Sequence, residues 1–477
     1  MNDLPAPGRH IHIIAVCGVG MASLAGLLQA RGYRVTGSDQ NVYPPMSTYL
    51  AEIGIEVLPG FRAEHLFPPP DFVIIGNAVS RGNPEAEHVL EHGIPYSSFP
   101  QALGQFLIGA RQSLVVTGTH GKTTTTALAA WVLTCADLAP GFFVGGVPLN
   151  FGSGWHPGTG DYVVLEGDEY DSAFFDKGPK FLHYRPRHVI LTSVEFDHAD
   201  IYRDLEHVKD AFRRLMELIP ADGNLVTCGD FPAAAEVARR ARCPVMSYGA
   251  AGDWQAAAVR FENARSFFTP AYRGKREGEV EAGVVGRHNV QNALAVYAMG
   301  RVLGIARGKL LEGFATFRGV KRRQEIKGER RGIVVIDDFA HHPTAVMETI
   351  DAVRSAYPNR RLWALFEPRS NTSRRNIFEL EFARSLARAD RVIISDLYQP
   401  EKVPAADRLS VASVVTEINR ICGDARAMMI ANSQEIAAYL SAHGAAGDVV
   451  LVMSNGAFDG VHEKILRALD ETVDSAE

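Results

Sequence analysis

The chain has 477 residues, 46% of them hydrophobic and 22% charged, and carries a formal net charge of −6 at pH 7. That length exceeds what one core usually supports, so about three domains are expected. The ordinary composition excludes disordered, collagen-like and coiled-coil classes, and the negative balance argues against a general nucleic-acid binder.

Cys17, Cys135, Cys228, Cys243 and Cys422 are odd in number and show no CxxC spacing. A disulfide framework or zinc ribbon is therefore disfavoured, and a reducing, cytoplasmic setting is expected. The opening MNDLPAPGRH lacks a cationic head followed by an apolar stretch, so no secretory signal is expected. No apolar run reaches the length of a membrane span.

Short β-rich runs alternate with longer helical stretches, which predicts an α/β protein with largely parallel sheets. Residues 10–18 (HIHIIAVCG) read as a buried strand, followed by a helix ending near Gly32. Strands at YRVTGSD, closing on Asp39, and at DFVIIGNAV (71–79) complete a small Rossmann-like first unit. A second unit opens with SLVVTGTHGKTTTTALAAWVL, a strand, a glycine-containing loop and a helix. It continues through the strands DYVVLEGDE (161–169), RHVILTSVE (187–195) and GNLVTCGD (223–230). Residues 249–282 read as short antiparallel strands. The stretch 318–331 holds seven basic and two acidic residues, which suits a solvated surface or an inter-domain hinge closing on a triphosphate. A third unit follows, with strands at GIVVIDD, RLWALFEP, RVIISD and DVVLVMSNG. The expected domains are 1–108, 109–321 and 322–477. No internal repeat or low-complexity tract is present.

The strongest local motif is Thr117-Gly118-Thr119-His120-Gly121-Lys122-Thr123-Thr124, placed between an apolar strand and a helix. Backbone N–H groups in such a loop point into one concavity, and the helix N-terminus adds positive potential. Lys122 can reach β- and γ-phosphates, and the Thr123 hydroxyl can ligate Mg²⁺. A regular P-loop has glycine at the position of Val116; here the first glycine is Gly118, so the loop is a variant. Four carboxylates follow within six residues, Glu166, Asp168, Glu169 and Asp171. They repel one another unless cations compensate, and at a strand end they suit Mg²⁺ beside substrate phosphates. Glu195-Phe196-Asp197-His198 again ends an apolar strand, where a histidine and carboxylates suit a second divalent ion.

Gly286-Arg287-His288-Asn289-Val290-Gln291-Asn292 opens a helix. Spacing alone favours Asn289 as a helix cap, although its amide can also read a purine edge. Asp337-Asp338-Phe339-Ala340-His341-His342-Pro343 follows a strand, and the proline suits a first helical turn. Near the N-terminus, Gly18-Val19-Gly20-Met21-Ala22-Ser23 is a weak dinucleotide fingerprint, with Ser23 in place of the third glycine and Asp39 at ribose distance. A nucleotide-like pyrophosphate in the first unit, with ATP in the second, accounts for both phosphate loops.

These motifs, in this order, resemble the Mur ligases of bacterial cell-wall synthesis. The family pattern is GTHGKT[ST], an ExDE segment, a strand followed by DH, GxHNxxN, and an inter-domain Arg with D-[YF]-[AG]-H-[HT]-P. The resemblance runs from Cys17 to about Gly460. Within the family, SDQNVYPPMSTYL (38–50), GNAVSRGNPE (76–85), GGVPLNFG (145–152), EYDSAFFDKGPKF (169–181), FEPRSNTSRRN (366–376) and VMSNGAFDG (452–460) are similar to a peptide-recycling branch. That branch joins UDP-N-acetylmuramate to the murein tripeptide L-alanyl-γ-D-glutamyl-meso-diaminopimelate.

The resemblance implies an ATP- and Mg²⁺-dependent ligase working through an acyl phosphate, in peptidoglycan recycling. It implies Lys122, His198 and Arg323 as catalytic residues, with Thr123, Glu166 and His198 at the metal ions. Gly118, Thr119, His120, Gly121, Lys122, Thr123, Thr124, Asn289, Asn292, Arg323 and Asp338 would bind ATP, and His341 would help place the phosphates. Gly18, Gly20, Met21, Ser23, Asp39, Asn77 and Asn150 would meet the UDP-sugar, and Arg369, Ser370, Asn371 and Asn455 the peptide. No nucleic-acid or membrane partner is implied, and a monomer or weak homodimer is expected. Some family members carry a carbamylated lysine near the second metal, for which Lys209 is a remote candidate. No DNPR motif is present, which disfavours addition of free diaminopimelate. The nearest alternative is the same chemistry with L-alanine as acceptor. A nicotinamide-dependent dehydrogenase would use the N-terminal fold and leave Lys122 idle, and a non-catalytic ATP binder would have no need of Lys122, Glu166 and His198 together.

Overall fold

A computed structural model describes residues 5–44, 46–199 and 201–474. The first four residues of the N-terminal stretch read above lie outside that range. Among the described residues, three large sheets organise the chain, beside a two-stranded ribbon of Asp171–Ala173 and Asp176–Pro179. The first has five parallel strands in the order Glu56–Pro59, Arg34–Asp39, His10–Ile14, Phe72–Ile75 and Tyr96–Ser98. The apolar runs explain the arrangement: Ile11, Ile13 and Ile14 and all of Phe72–Ile75 are buried, as strands covered on both faces must be. Strand order reverses between His10–Ile14 and Phe72–Ile75, so a crevice is expected at their carboxyl ends.

The central sheet has eleven strands. Its parallel part places Gln112–Thr117 between Tyr162–Gly167 and Pro186–Leu191. The loops after these three neighbours are the phosphate loop, the acidic segment and Glu195–His198. Three motifs far apart in sequence therefore meet at one sheet end. The antiparallel strands expected within 249–282 are present and longer than expected: Trp254–Glu262 and Arg265–Tyr272 pair over nine and eight residues at the sheet edge.

The third sheet runs Glu325–Arg330, Ile333–Asp338, Val449–Met453, Leu362–Phe366, Arg391–Ile394 and Ala427–Met429, parallel except for the first strand. Residues Glu325–Arg330 of the basic stretch expected as a solvated surface or hinge are thus an edge strand. Lys327, Glu329 and Arg330 are exposed there and blunt an otherwise open row of backbone groups. Among the described residues, no helix is long and apolar enough to cross a membrane, and all five cysteines are free thiols.

Candidate active site

The phosphate loop joins Gln112–Thr117 to the helix Lys122–Cys135. Gly118 (φ +130°) and Gly121 (φ +77°) take backbone conformations that favour glycine, and a Cβ on Gly118 would stand 2.3 Å from the Thr192 hydroxyl. The loop is not free on all sides. Thr119 N–H donates to Ser193 O (3.1 Å) and His120 N–H to Ser193 Oγ (2.9 Å), which locks the loop to the neighbouring strand. The N–H groups of Lys122, Thr123 and Thr124 belong to the opening turn, whose donors have no intrahelical acceptor.

Lys122 is buried, and its ammonium lies 2.9 Å from Glu169 Oε2 and 2.7 Å from Gly118 O. Burial alone would discharge it; Glu169, with Asp168 and Glu166, outweighs that and holds it charged. Glu169 also meets His198 Nε2 at 3.4 Å. Asp168 pairs with Lys180 at 3.0 Å. Glu166 accepts from the Thr123 hydroxyl (2.7 Å) and from Gly145 N–H (2.7 Å). Burial, helped by Asp168, pushes its carboxyl above the usual range. Thus Thr123 pairs with Glu166, while His198 pairs with Glu169, a residue missing from the sequence-derived ligand set. Its signal was present in the acidic run, but nothing in one sequence says which of four carboxylates turns inward.

The basic linker and the third sheet close over this end. Arg323 donates to the Thr123 hydroxyl at 3.1 Å. Asp338 is buried and accepts from Gln324 N–H (2.9 Å) and Ala340 N–H (2.8 Å), so it fixes the linker backbone. His341 Nδ1 lies 2.9 Å from Phe339 O. Thr344 donates to Glu195 (3.2 Å), and Thr372 donates to Asp197 (2.6 Å). Burial would raise the Asp197 carboxyl, but His198, His341 and His342 together hold it well below the usual range.

Beside the loop, His120, Gly121, Asn292, Gln291, His288, Asp230, Tyr248 and Glu348 are among the residues lining a cavity of about 310 Å³. Asn289 is not the helix cap that spacing favours. Gly286 occupies that place, and Asn289, one turn further in, donates to Val285 O (2.8 Å) and accepts from Asn292 (3.1 Å). Asn292, held by this bond, is one of the residues lining the cavity. Burial pushes Glu348 up to about 7 and His288 down to about 4.

A second cavity, of about 700 Å³, opens at the reversal of strand order in the first sheet. Of the residues expected at the UDP-sugar, Gly18, Gly20, Met21, Asp39 and Asn77 line this cavity; Ser23 and Asn150 do not. Ser23 sits within the helix Val19–Ala30. The Asn150 amide is spent at another seam, donating to Thr316 O (2.9 Å) and accepting from Arg318 N–H (2.8 Å). Asp39 accepts from Cys17 N–H (2.8 Å) and Asn41 N–H (2.9 Å), so it shapes the cavity floor. Tyr170, Ser172 and Lys180 also line the cavity, reaching in from the central unit. The sequence reading missed them because chain proximity groups them with the acidic segment.

In the third unit, Arg369 stacks on Tyr398, 3.6 Å from the ring centroid. Ser370 bonds Ser373 (2.9 Å), Asn371 accepts from Arg374 (2.7 Å), and Asn455 Oδ1 is buried without a hydrogen-bond partner. Lys209 is engaged elsewhere, with Glu206 and Glu236.

Three family models match the chain in order: the Mur ligase family catalytic domain over residues 10–111, the Mur ligase middle domain over 116–300, and the Mur ligase glutamate ligase domain over 322–456. The chain belongs to the Mur ligase family. Among relatives, it is 42% identical to the UDP-N-acetylmuramate–L-alanyl-γ-D-glutamyl-meso-2,6-diaminoheptandioate ligase of Escherichia coli, over 98% of this chain and all of that one. It is 37% identical to the UDP-N-acetylmuramate–L-alanine ligase of Salinibacter ruber, over 85% of this chain and 84% of that one. The crystal structure of a murein peptide ligase from Psychrobacter arcticus superposes with a TM-score of 0.71 at 36% identity, covering 97% of this chain and 99% of the other. The two phosphate-side loops, the linker arginine and the two cavities described above lie within this Mur ligase frame.

Proposed function

We propose that this chain joins the carboxylate of UDP-N-acetylmuramate to the free amine of L-alanyl-γ-D-glutamyl-meso-diaminopimelate, consuming ATP and releasing ADP and phosphate, in peptidoglycan recycling. The observation that carries this reading is full-length similarity, at 42% identity, to a relative named for that reaction.

Two anions, a carboxylate and a triphosphate, must approach, so fixed positive charge is needed. Lys122, at the start of the phosphate-loop helix, and Arg323, donating to the Thr123 hydroxyl, would supply it. Glu166 has no cationic side chain at ion-pair distance among the described residues, and its buried carboxylate sits against the Thr123 hydroxyl. That donor set fits Mg²⁺, with Glu169 and His198 a second set beside it. Bound there, Mg²⁺ would neutralise phosphate charge. On this reading the substrate carboxylate oxygen bonds the γ-phosphorus as the bond to the β-phosphate oxygen breaks, giving an acyl phosphate and ADP. The peptide amine then attacks the acyl carbon, loses a proton and expels phosphate. The central cavity would take the base of ATP and the N-terminal cavity the UDP part. Arg369, Ser370, Asn371 and Asn455 would face the peptide. The third unit, laid over Glu195–His198, would exclude water from the acyl phosphate.

The test compares ADP and phosphate release with UDP-N-acetylmuramate, ATP and Mg²⁺ in the presence of the tripeptide or of L-alanine, with mass spectrometry of the product. Turnover with the tripeptide and none with L-alanine is expected. Turnover with L-alanine alone overturns the acceptor assignment and leaves the ATP assignment standing.

A further inference from the structure

His120, Glu195 and His342 stand apart from the carboxylates around Lys122 and come from three places: the phosphate loop, a central strand end, and the start of the helix Pro343–Ala356. One potential ligand atom from each lies within 4.8 Å of the other two. His120 Nε2 and Glu195 Oε2 are 2.9 Å apart. Both atoms are buried, and neither makes an aligned hydrogen bond. The imidazoles of His120 and His342 have centroids 4.7 Å apart. Among the described residues, the His342 nitrogens make two long contacts, 3.3 Å from Nε2 to Phe196 O and 3.3 Å from Thr344 N–H to Nδ1, and its ring meets the edge of Phe378 at 5.1 Å.

The surroundings are already fixed. Ser193 holds the backbone of His120, and Thr119 Oγ1 accepts from Glu195 N–H at 2.8 Å. The other carboxylate oxygen, Glu195 Oε1, accepts from the Thr344 hydroxyl at 3.2 Å. Metal-ligating carboxylates are commonly oriented by such an outer hydrogen bond. Two imidazoles and one carboxylate form a donor set for a borderline cation rather than for Mg²⁺, which prefers oxygen.

We propose that His120, Glu195 and His342 form a binding site for Zn²⁺ or a cation of its class, closed by water as the fourth ligand, that pins the C-terminal unit against the phosphate loop. Two ligands belong to the central unit and one to the C-terminal unit, so metal binding favours the arrangement that unites them. Occupation exchanges one of the two long His342 contacts for a metal bond and leaves the Glu166 and Glu169 sets untouched.

The full-length protein, stripped with EDTA, is dialysed against zinc chloride in excess magnesium chloride, and its zinc content is measured. One retained equivalent is expected. It should be lost in His342→Ala and in Glu195→Gln and kept in His198→Ala. Cobalt(II) in place of zinc gives a second readout: visible d–d bands in the wild type that vanish in His342→Ala. Circular dichroism of each metal-free variant checks folding, and His342→Gln replaces His342→Ala if the latter fails it. No retained zinc, zinc kept by both the His342 and Glu195 variants, or zinc lost only with His198→Ala would each overturn the proposal.

Discussion

Arg323 and Thr123 are two hundred positions apart, yet the Arg323 guanidinium donates to the Thr123 hydroxyl at 3.1 Å. The contact crosses from the linker to the first turn of the phosphate-loop helix, and the same hydroxyl donates to Glu166. One threonine therefore reports on both the linker and the acidic segment. Arg323→Ala is expected to lower kcat/KM for ATP by about 10²–10³-fold, the scale of one lost electrostatic contact in a reacting site. Binding of the UDP-sugar, followed by calorimetry, should stay within a factor of two or so of wild type. Equal losses for both substrates would mean that Arg323 supports the fold.

Lys122→Ala should abolish turnover and also destabilise the protein. Glu169 would be left with His198 alone as a cationic partner, and breaking a buried pair from one side costs about 3–5 kcal/mol. Adding Glu169→Gln should restore much of the melting temperature without restoring product. Full stability of the single variant would show that the pair contributes little.

Gly121→Ala would place a methyl group 2.6 Å from Asn292 Oδ1 at φ +77°. The strain of that φ alone is about 1–2 kcal/mol, so ADP binding should weaken roughly tenfold or more. Calorimetry with ADP measures it. Unchanged affinity would detach Asn292 and the loop from nucleotide binding.

Glu348 offers a pH test. Burial raises its carboxyl to about 7. Between its unfolded value and about 7 the folded chain binds a proton that the unfolded chain does not, so the stability this group contributes is full in acid and falls as pH rises through that window. Glu348→Gln should therefore raise the melting temperature at pH 8, by about 1–3 kcal/mol in stability, and leave it nearly unchanged near pH 4. A gain of equal size at both pH values would refute the assignment.

The alternation of strands and helices, the phosphate loop and the acidic strand end were legible because each depends on local chemistry. Lys122 and Thr123 open the helix that follows the glycine loop, and the Thr123 hydroxyl meets Glu166. What stayed hidden depended on partners distant in sequence. The inward turn of Glu169 follows from two cations, Lys122 and His198, arriving from separate loops. Lys180 lines the N-terminal cavity from the turn Lys180–His183, far from it in sequence. Asn150 looked like a sugar contact, but its amide is used up by residues 316–318. Asn289 looked like a cap because caps are common before helices; a glycine at φ +101° had already taken that place.

The Lys122–Glu169 pair has one further consequence. The ammonium that a triphosphate would seek already has an anion beside it, supplied by the chain itself. On the proposed function, nucleotide arrival would be a swap of counter-ions, and Glu169, released from the lysine, would still face His198. A carboxylate that guards the lysine in this state would then be free to act as an oxygen donor once nucleotide is bound. On that reading, recharging the site between turnovers would ask for a side-chain movement of Glu169 and Lys122.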